Sequence, residues 1–271
     1  MCRTWLVSSG LQLACVRVLH DIGMLLTESA PVDLATPTGP MRVHVFRPAL
    51  PAGRQVPGII LYSEIFQLTG PVRRTAAWLA GQGYLVAAPE VYHELEPAGT
   101  VLPYTPEGSA RGNAHKTAKT LAAYDSDASA VIAWLQADPQ CSGKLGAAGM
   151  CLGGHLAFRC ALHPAIGAAA CLYPTDLHKK SLGAGLADDS LERCRAINGE
   201  LLMIFGRQDP HIPLAGRRQV QAALEDAERT YEWHEFNAQH AFIRDEGNRY
   251  DAVRTGLTQT LIVDLFQRCL R

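Results

Sequence analysis

The sequence has little of what marks proteins that bind nucleic acids, membranes or metals. Its 25 Lys and Arg residues are balanced by 26 Asp and Glu residues, and they form no basic stripe. No apolar run approaches the roughly 20 residues that a membrane-spanning helix needs. The eight cysteines contain no CxxC pair, and no cluster of His and Cys has the spacing of a structural zinc site. We therefore expect no nucleic-acid or membrane partner, no metal and no organic cofactor.

A secretory leader is also poorly supported. Residues 1–18 are moderately apolar, but polar residues interrupt them and no small-residue cleavage site stands out. We interpret residues 1–35 as a loosely ordered N-terminal extension, with Met24 as an alternative start, and we expect a cytoplasmic protein. The chain is 48% hydrophobic, so residues 36–271 suffice for a single domain with a large core, as a monomer or a homodimer.

Apolar runs alternate with helical periodicities along the chain. Continuous apolar runs and period-two alternation predict strands at residues 41–47, 57–62, 84–89, 165–173, 200–206 and 230–236, and one more just before Gly149. Helices are predicted at 69–82, 125–137, 214–228 and 250–270, and directly after Cys151. Residues 90–119 and 174–198 lack either pattern, and the first of these stretches is long enough for a lid. The alternation predicts an α/β fold, a mostly parallel central sheet with helices on both faces.

The stretch Gly149-Met-Cys-Leu-Gly-Gly154 joins an apolar strand directly to a helix. Glycines two residues before and after Cys151 allow neighbouring backbone to approach closely, as a nucleophile held on a sharp turn requires. The N–H groups and the positive dipole end of the helix favour thiolate over thiol. The pattern predicts a nucleophile elbow with Cys151 where serine usually stands. The alternative is a buried cysteine in a glycine-rich turn, as we expect for the remaining cysteines, which we interpret as reduced core residues.

Two further residues follow predicted parallel strands. Asp209 comes just after residues 200–206, and His240 comes just after residues 230–236. Ligands of such sheets lie beyond the carboxyl ends of the strands, so these side chains are expected near Cys151. Singly, Asp209 is a turn residue before proline and His240 a surface histidine. Together, in the order nucleophile, acid and histidine, the three residues predict a catalytic triad.

Five motifs occur in order along the chain: Tyr62-Ser-Glu-Ile-Phe66, Gly83-Tyr-Leu-Val-Ala-Ala-Pro89, Gly149-Met-Cys-Leu-Gly-Gly154, Gly206-Arg-Gln-Asp209 and His240-Ala-Phe-Ile-Arg244. In these motifs the chain resembles the dienelactone hydrolase family, cysteine-dependent members of the α/β-hydrolase fold. The resemblance covers roughly residues 40–270.

The resemblance implies roles for single residues. Cys151 matches the nucleophile, Asp209 the triad acid and His240 the base. Glu64 matches a glutamate that contacts the resting thiol and takes part in its activation, although a surface carboxylate at a strand end is the alternative. The backbone N–H groups of Ile65 and Leu152 match the oxyanion hole, where two converging donors stabilise a tetrahedral oxyanion.

The substrate-binding residues match the family only in part. Arg244 matches one of two arginines that hold the substrate carboxylate in the family prototype. The position of the second falls in Glu90-Val-Tyr-His-Glu94, which contains no arginine. We therefore expect Tyr92 and His93 to contact substrate, and Glu94 to weaken the preference for acidic substrates.

The motifs and the resemblance together predict a hydrolase of a carboxylic ester or lactone that acts through a thioester on Cys151. Within enzymes, the alternative is a broad small-ester hydrolase with no role in dienelactone breakdown. Outside them, it is a non-enzymatic binding protein whose thiol senses redox state.

Overall fold

A computed structural model of the protein describes the backbone of residues 26–271 and the side chains from residue 29 onward. Most of the predicted extension, residues 1–25 with Met24, lies outside the described residues. Residues 26–36, however, contribute strands that pair with residues 39–48. The described part of the stretch interpreted as an extension therefore belongs to the sheet.

A nine-stranded sheet forms the centre of the molecule. Its strands are β1 (Leu26–Glu28), β2 (Val32–Thr36), β3 (Gly39–Pro48), β4 (Val56–Tyr62), β5 (Leu85–Pro89), β6 (Cys141–Met150), β7 (Ile166–Leu172), β8 (Glu200–Gly206) and β9 (Tyr231–Phe236). The spatial order is β1-β3-β5-β4-β6-β7-β8-β9, and β2 also pairs with β3. All pairs that involve β3 are antiparallel, whereas the pairs from β5 to β9 are parallel. The predicted mostly parallel sheet is confirmed.

The described residues form six helices. They are α1 (Gly70–Gly81), α2 (Pro106–Ala118), α3 (Leu121–Ala137), α4 (Leu152–Cys160), α5 (Leu214–Asp226) and α6 (Ala252–Leu270), with a short 3₁₀ turn at Cys194–Ala196. Successive residues of β6 point to opposite faces. A side chain on Gly146 would meet Phe266 of α6, whereas one on Gly149 would meet the backbone of Gly153 in α4. Helices therefore pack on both faces, as predicted.

The burial of the central strands explains why the sequence predicts them. All seven residues of β4 and all five of β5 are buried, so each strand is a continuous apolar run. Burial of these side chains, at about 25 cal/mol per Å² of apolar surface, is the main term that stabilises the sheet. Within the described residues, no helix combines the length and the apolarity that crossing a membrane requires.

The prediction of an irregular loop at residues 90–119 is wrong for the second half of this stretch, which forms α2. Thr105 caps this helix by accepting a hydrogen bond from the Gly108 N–H at 3.2 Å, and Pro106 and Glu107 occupy its first turn. Its buried residues are Gly108 and Gly112, so it has no apolar stripe. Apolar periodicity therefore does not predict this helix. The residues Thr-Pro-Glu at its start are a capping signal from which it could be predicted.

Candidate active site

Cys151 lies on a strained turn between β6 and α4. Its φ of +60° and ψ of −120° belong to a region that side-chain-bearing residues rarely adopt. Side chains at the flanking glycines would collide with backbone. A Cβ on Gly149 would lie 2.0 Å from the Gly153 oxygen, and one on Gly153 would lie 2.2 Å from the Tyr62 oxygen. The glycines are thus what lets α4 and β4 approach the turn closely enough to hold this conformation.

Backbone hydrogen bonds fix the turn on both sides. The Cys151 N–H donates to the Leu172 oxygen at 3.0 Å, and the Cys151 oxygen accepts from the Thr175 N–H at 3.3 Å. The sulfur lies 4.0 Å from the Thr175 hydroxyl oxygen. Leu152 is the first residue of α4, so its N–H has no acceptor within the helix and is available to a ligand.

The structure brings His240 and Asp209 together at the ends of β9 and β8. His240 Nδ1 donates to Asp209 Oδ2 at 2.6 Å, and the other carboxylate oxygen accepts from the His211 N–H at 2.8 Å. Both side chains are buried. The carboxylate is therefore oriented by backbone and in turn fixes which nitrogen of His240 faces Cys151.

The charges around His240 favour its protonated form. Burial by itself would lower the pKa of His240, but the negative charge of the Cys151 sulfur and the hydrogen bond to Asp209 outweigh burial and raise it to about 10. For Asp209 the effects have the opposite sign. Burial would raise the pKa of this carboxyl group, but its hydrogen bond to His240 keeps the pKa below the ordinary value. The arrangement therefore favours an imidazolium at His240, between Asp209 and Cys151.

A pH dependence of stability follows from His240. Its folded-state pKa of about 10 lies above the ordinary value of 6.5, so the stabilisation is complete below about pH 6.5 and is lost as the pH rises through about 10. We expect the parent protein to lose its advantage in unfolding free energy over His240→Gln between pH 7 and 10. Urea unfolding of both proteins across this range measures the difference, and parallel pH curves would contradict the proposed charge state.

Glu64 and Arg244 form a second charged pair at the site. The Glu64 carboxylate is buried, which raises its pKa, and it lies 3.8 Å from Arg244 Nη1. The Tyr104 hydroxyl donates to it at 3.3 Å, and the Arg244 guanidinium lies over the Tyr104 ring at 4.3 Å from the centroid. The predicted contact of Glu64 with the thiol is not among the hydrogen bonds of the described residues.

One cavity of about 420 Å³ joins these groups. Of the predicted residues, Glu64, Ile65, Cys151, His240 and Arg244 line it, and Asp209 reaches it through His240. Its walls also include residues that sequence reasoning missed: Phe66, Tyr104, Thr105, Pro106, Ser109, Asn113 and Lys116 near or on α2, Thr175, Asp176 and Lys179 after β7, and His211 and Arg249. Ser109, Asn113 and Lys116 recur at helical spacing, a polar stripe that becomes a signal only once α2 is recognised.

Tyr92 and His93, which the sequence analysis expects to contact substrate, do not line this cavity. Tyr92 is fully buried and its hydroxyl donates to the Gly112 oxygen at 2.9 Å. His93 Nε2 lies 3.1 Å from both Asp127 carboxylate oxygens. The turns that follow β5 direct these side chains towards α2 and α3.

His93, Glu94 and Asp127 also form a cluster that resembles a metal site. The buried Lys119 ammonium lies 2.5 Å from Glu94 Oε1 and 2.7 Å from Asp127 Oδ2. A lysine already supplies the positive charge between these carboxylates, so the cluster does not fit a metal ion. Because Glu94 is engaged here, its position gives no reason to expect repulsion of an acidic substrate.

Comparisons with known proteins assign the chain to a family. The family model described as "Dienelactone hydrolase family" matches residues 41–270. A "Putative carboxymethylenebutenolidase" of Saccharomyces cerevisiae is 41% identical over 92% of this chain and 94% of its own. The carboxymethylenebutenolidase of Pseudomonas putida is 29% identical over 79% of this chain and 86% of its own.

A solved structure supports the fold. The "Putative Dienelactone Hydrolase" of Klebsiella pneumoniae superposes with a TM-score of 0.75 and 22% identity, over 89% of this chain and 98% of its own. At this identity the likeness concerns architecture alone. The family match over residues 41–270 and the 41% identity to the yeast relative go further. The chain therefore belongs to the dienelactone hydrolase family of carboxylic ester hydrolases.

Proposed function

We propose that this hydrolase cleaves its ester or lactone through a covalent thioester on Cys151. The observation that carries the proposal is the position of Cys151. It lies on a strained turn at the start of a helix, beside a histidine whose pKa is raised and which is bonded to a buried aspartate, and it opens into the cavity. An inert core cysteine has no use for any of these features.

The chemistry proceeds in two halves. The Cys151 thiolate attacks the carbonyl carbon, a C–S bond forms, and the carbonyl π electrons move to oxygen. The oxyanion faces the N–H groups of Ile65 and Leu152. When the intermediate collapses, the C–O bond breaks and His240 gives its proton to the departing alkoxide. In a lactone this alkoxide remains part of the acyl group.

Water then completes the reaction. His240, now neutral, takes a proton from water as the water attacks the thioester carbonyl carbon. The C–S bond breaks, the carboxylic acid product leaves, and the thiolate and imidazolium pair is restored. Asp209 keeps the imidazole in the required orientation in both halves. Glu64, which faces the same cavity, holds Arg244 towards it and balances part of its charge.

The charge of the cavity favours a substrate that carries a carboxylate. Its walls contain the cations Lys116, Lys179, Arg244 and Arg249 against the carboxylates of Glu64 and Asp176. Lys116 is paired with Asp176 at 2.7 Å, and Arg244 lies beside Glu64. A positive excess therefore remains at the exposed side chains of Lys179 and Arg249. The relatives' name, carboxymethylenebutenolidase, denotes a lactone that bears a carboxyl group, and we extend this class to the present chain.

Removing the cations at the rim should shift substrate preference. We expect Lys179→Ala and Arg249→Ala each to lower kcat/KM for a carboxylate-bearing lactone by about 1.4- to fivefold, because an exposed charge contact contributes about 0.2–1 kcal/mol. A neutral ester of similar size should be hardly affected, and added salt should shrink the difference. Steady-state kinetics on the two substrates measures this preference.

Lys144→Ala is the matched control, because this exposed lysine lies near the start of β6, at the opposite end of that strand from Cys151. It should leave both substrates unchanged. Equal losses for the acidic and the neutral substrate in the rim variants would contradict a carboxylate-bearing substrate. Rapid hydrolysis of neutral esters alone would favour the broad small-ester hydrolase.

A further inference from the structure

Helix α2 packs on the oxyanion region by its backbone. A Cβ on Gly112 would lie 2.3 Å from the Ile65 oxygen and 3.0 Å from the Ile65 Cβ. Contacts below about 3 Å do not occur for real side chains, so only glycine permits this approach. Glycine is a poor residue for a helix interior, and one placed against Ile65 therefore points to a need for closeness at this spot.

Side-chain contacts hold this part of α2 in place. The buried Tyr92 hydroxyl donates to the Gly112 oxygen at 2.9 Å. His115 Nε2 lies 2.5 Å from the buried Glu96 carboxylate. Lys116 is paired with Asp176, which belongs to the segment after β7. Gly112 is thus fixed from both sides relative to the ends of β5 and β7.

Ile65 lies in a tight turn that transmits a displacement. The Gln67 N–H donates to the Glu64 oxygen at 3.3 Å across the turn, and Gln67 has a φ of +63°. The peptide between Phe66 and Gln67 is also held at its carbonyl, since the Phe66 oxygen accepts from the Leu102 N–H at 3.1 Å. Because these hydrogen bonds hold the turn, it cannot adjust locally to a displacement of the Ile65 oxygen and Cβ. Such a displacement would therefore also move the Ile65 N–H.

We propose that Gly112 is a positioning residue: through the contact of α2 with Ile65 it sets where the Ile65 N–H points and so how well the oxyanion is stabilised. The inference rests on the proposed function, in which that N–H is an oxyanion donor. Donors of this kind act only when they are aimed at the developing charge, so a small displacement lowers the rate of acyl transfer.

Gly112→Ala tests the inference. We expect kcat for p-nitrophenyl acetate to fall about 10- to 100-fold with KM changed less than about threefold. Alkylation of Cys151 by iodoacetamide should stay within about twofold of the parent rate. This reaction is a displacement at saturated carbon that needs the thiolate but forms no oxyanion, and Cys151, His240 and Asp209 do not lie on α2.

Two further variants sharpen the test. Gly256→Ala adds a methyl group to a helical glycine of α6 that has no atom within 4 Å of the added carbon, and it should keep the parent kinetics. Tyr92→Phe removes the hydrogen bond to the Gly112 oxygen without adding volume, and it should lower kcat about two- to fivefold with unchanged alkylation. It decides the question if Gly112→Ala fails to fold.

The outcomes separate this inference from the proposed function. If the parent protein hydrolyses the ester through Cys151 but kcat is unchanged in Gly112→Ala or in Tyr92→Phe, only the role of Gly112 is overturned. A parallel fall of alkylation and kcat also overturns it, because the damage would then reach the thiol. A parent protein that is alkylated but hydrolyses no ester overturns the proposed function and the inference with it.

Discussion

Cys151→Ala is expected to lower kcat by about four to six orders of magnitude, since no other group on the elbow can form the acyl intermediate. The variant should fold as the parent does, because alanine is smaller than cysteine and the flanking glycines are untouched. Hydrolysis of p-nitrophenyl acetate and of a lactone, compared on proteins of matched thermal stability, measures the loss.

Cys160→Ala and Cys171→Ala are the matched controls. Cys160 lies on α4 and Cys171 on β7, both buried, and burial raises the pKa of the Cys160 thiol to about 12. Neither residue lines the cavity. They should keep kcat within about twofold and lose stability instead, because each removes buried atoms from a packed core. Parent-like turnover in Cys151→Ala would contradict the mechanism.

His240→Ala and Asp209→Asn are expected to lower kcat by about two to four orders of magnitude each. The first removes the group that moves protons in both halves of the reaction. The second keeps the shape of the side chain but removes the negative charge that fixes the imidazole. The loss should be smaller in Asp209→Asn, because the negative charge of the Cys151 sulfur also raises the pKa of His240.

His234→Ala serves as the control, since this histidine lies on β9 outside the cavity and should leave kcat unchanged. Steady-state kinetics on folded variants gives the comparison. Turnover by Asp209→Asn within a few-fold of the parent would assign the orienting role to another carboxylate.

The sequence predicts those parts of the molecule in which a structural requirement can be met by only one type of residue. Buried parallel strands need apolar side chains on both faces, so β4 and β5 are visible as unbroken apolar runs. The elbow needs glycines where backbone meets backbone, and the clash distances at Gly149 and Gly153 show that demand directly. The proximity of His240 and Asp209 could be predicted because parallel strand ends meet at one edge of a sheet.

The cavity walls could not be predicted in the same way. Helix α2 packs through Gly108 and Gly112, so its sequence has no apolar stripe that would predict a helix. Without the helix, its polar residues Ser109, Asn113 and Lys116 could not be predicted to line the cavity. Where the chain goes after β5 depends on partners distant in sequence. His93 was expected at the substrate, but it is held by Asp127 instead. Such choices depend on tertiary contacts that no local pattern encodes.

The covalent intermediate provides the most direct test of the central claim. Enzyme mixed with p-nitrophenyl acetate, quenched in acid and analysed by mass spectrometry, should show a burst of about one p-nitrophenol per chain and one acetyl group on the peptide that contains Cys151. Prior treatment with iodoacetamide should abolish both. Steady hydrolysis with no acetyl group on Cys151, or hydrolysis that survives complete alkylation of that residue, would contradict the account.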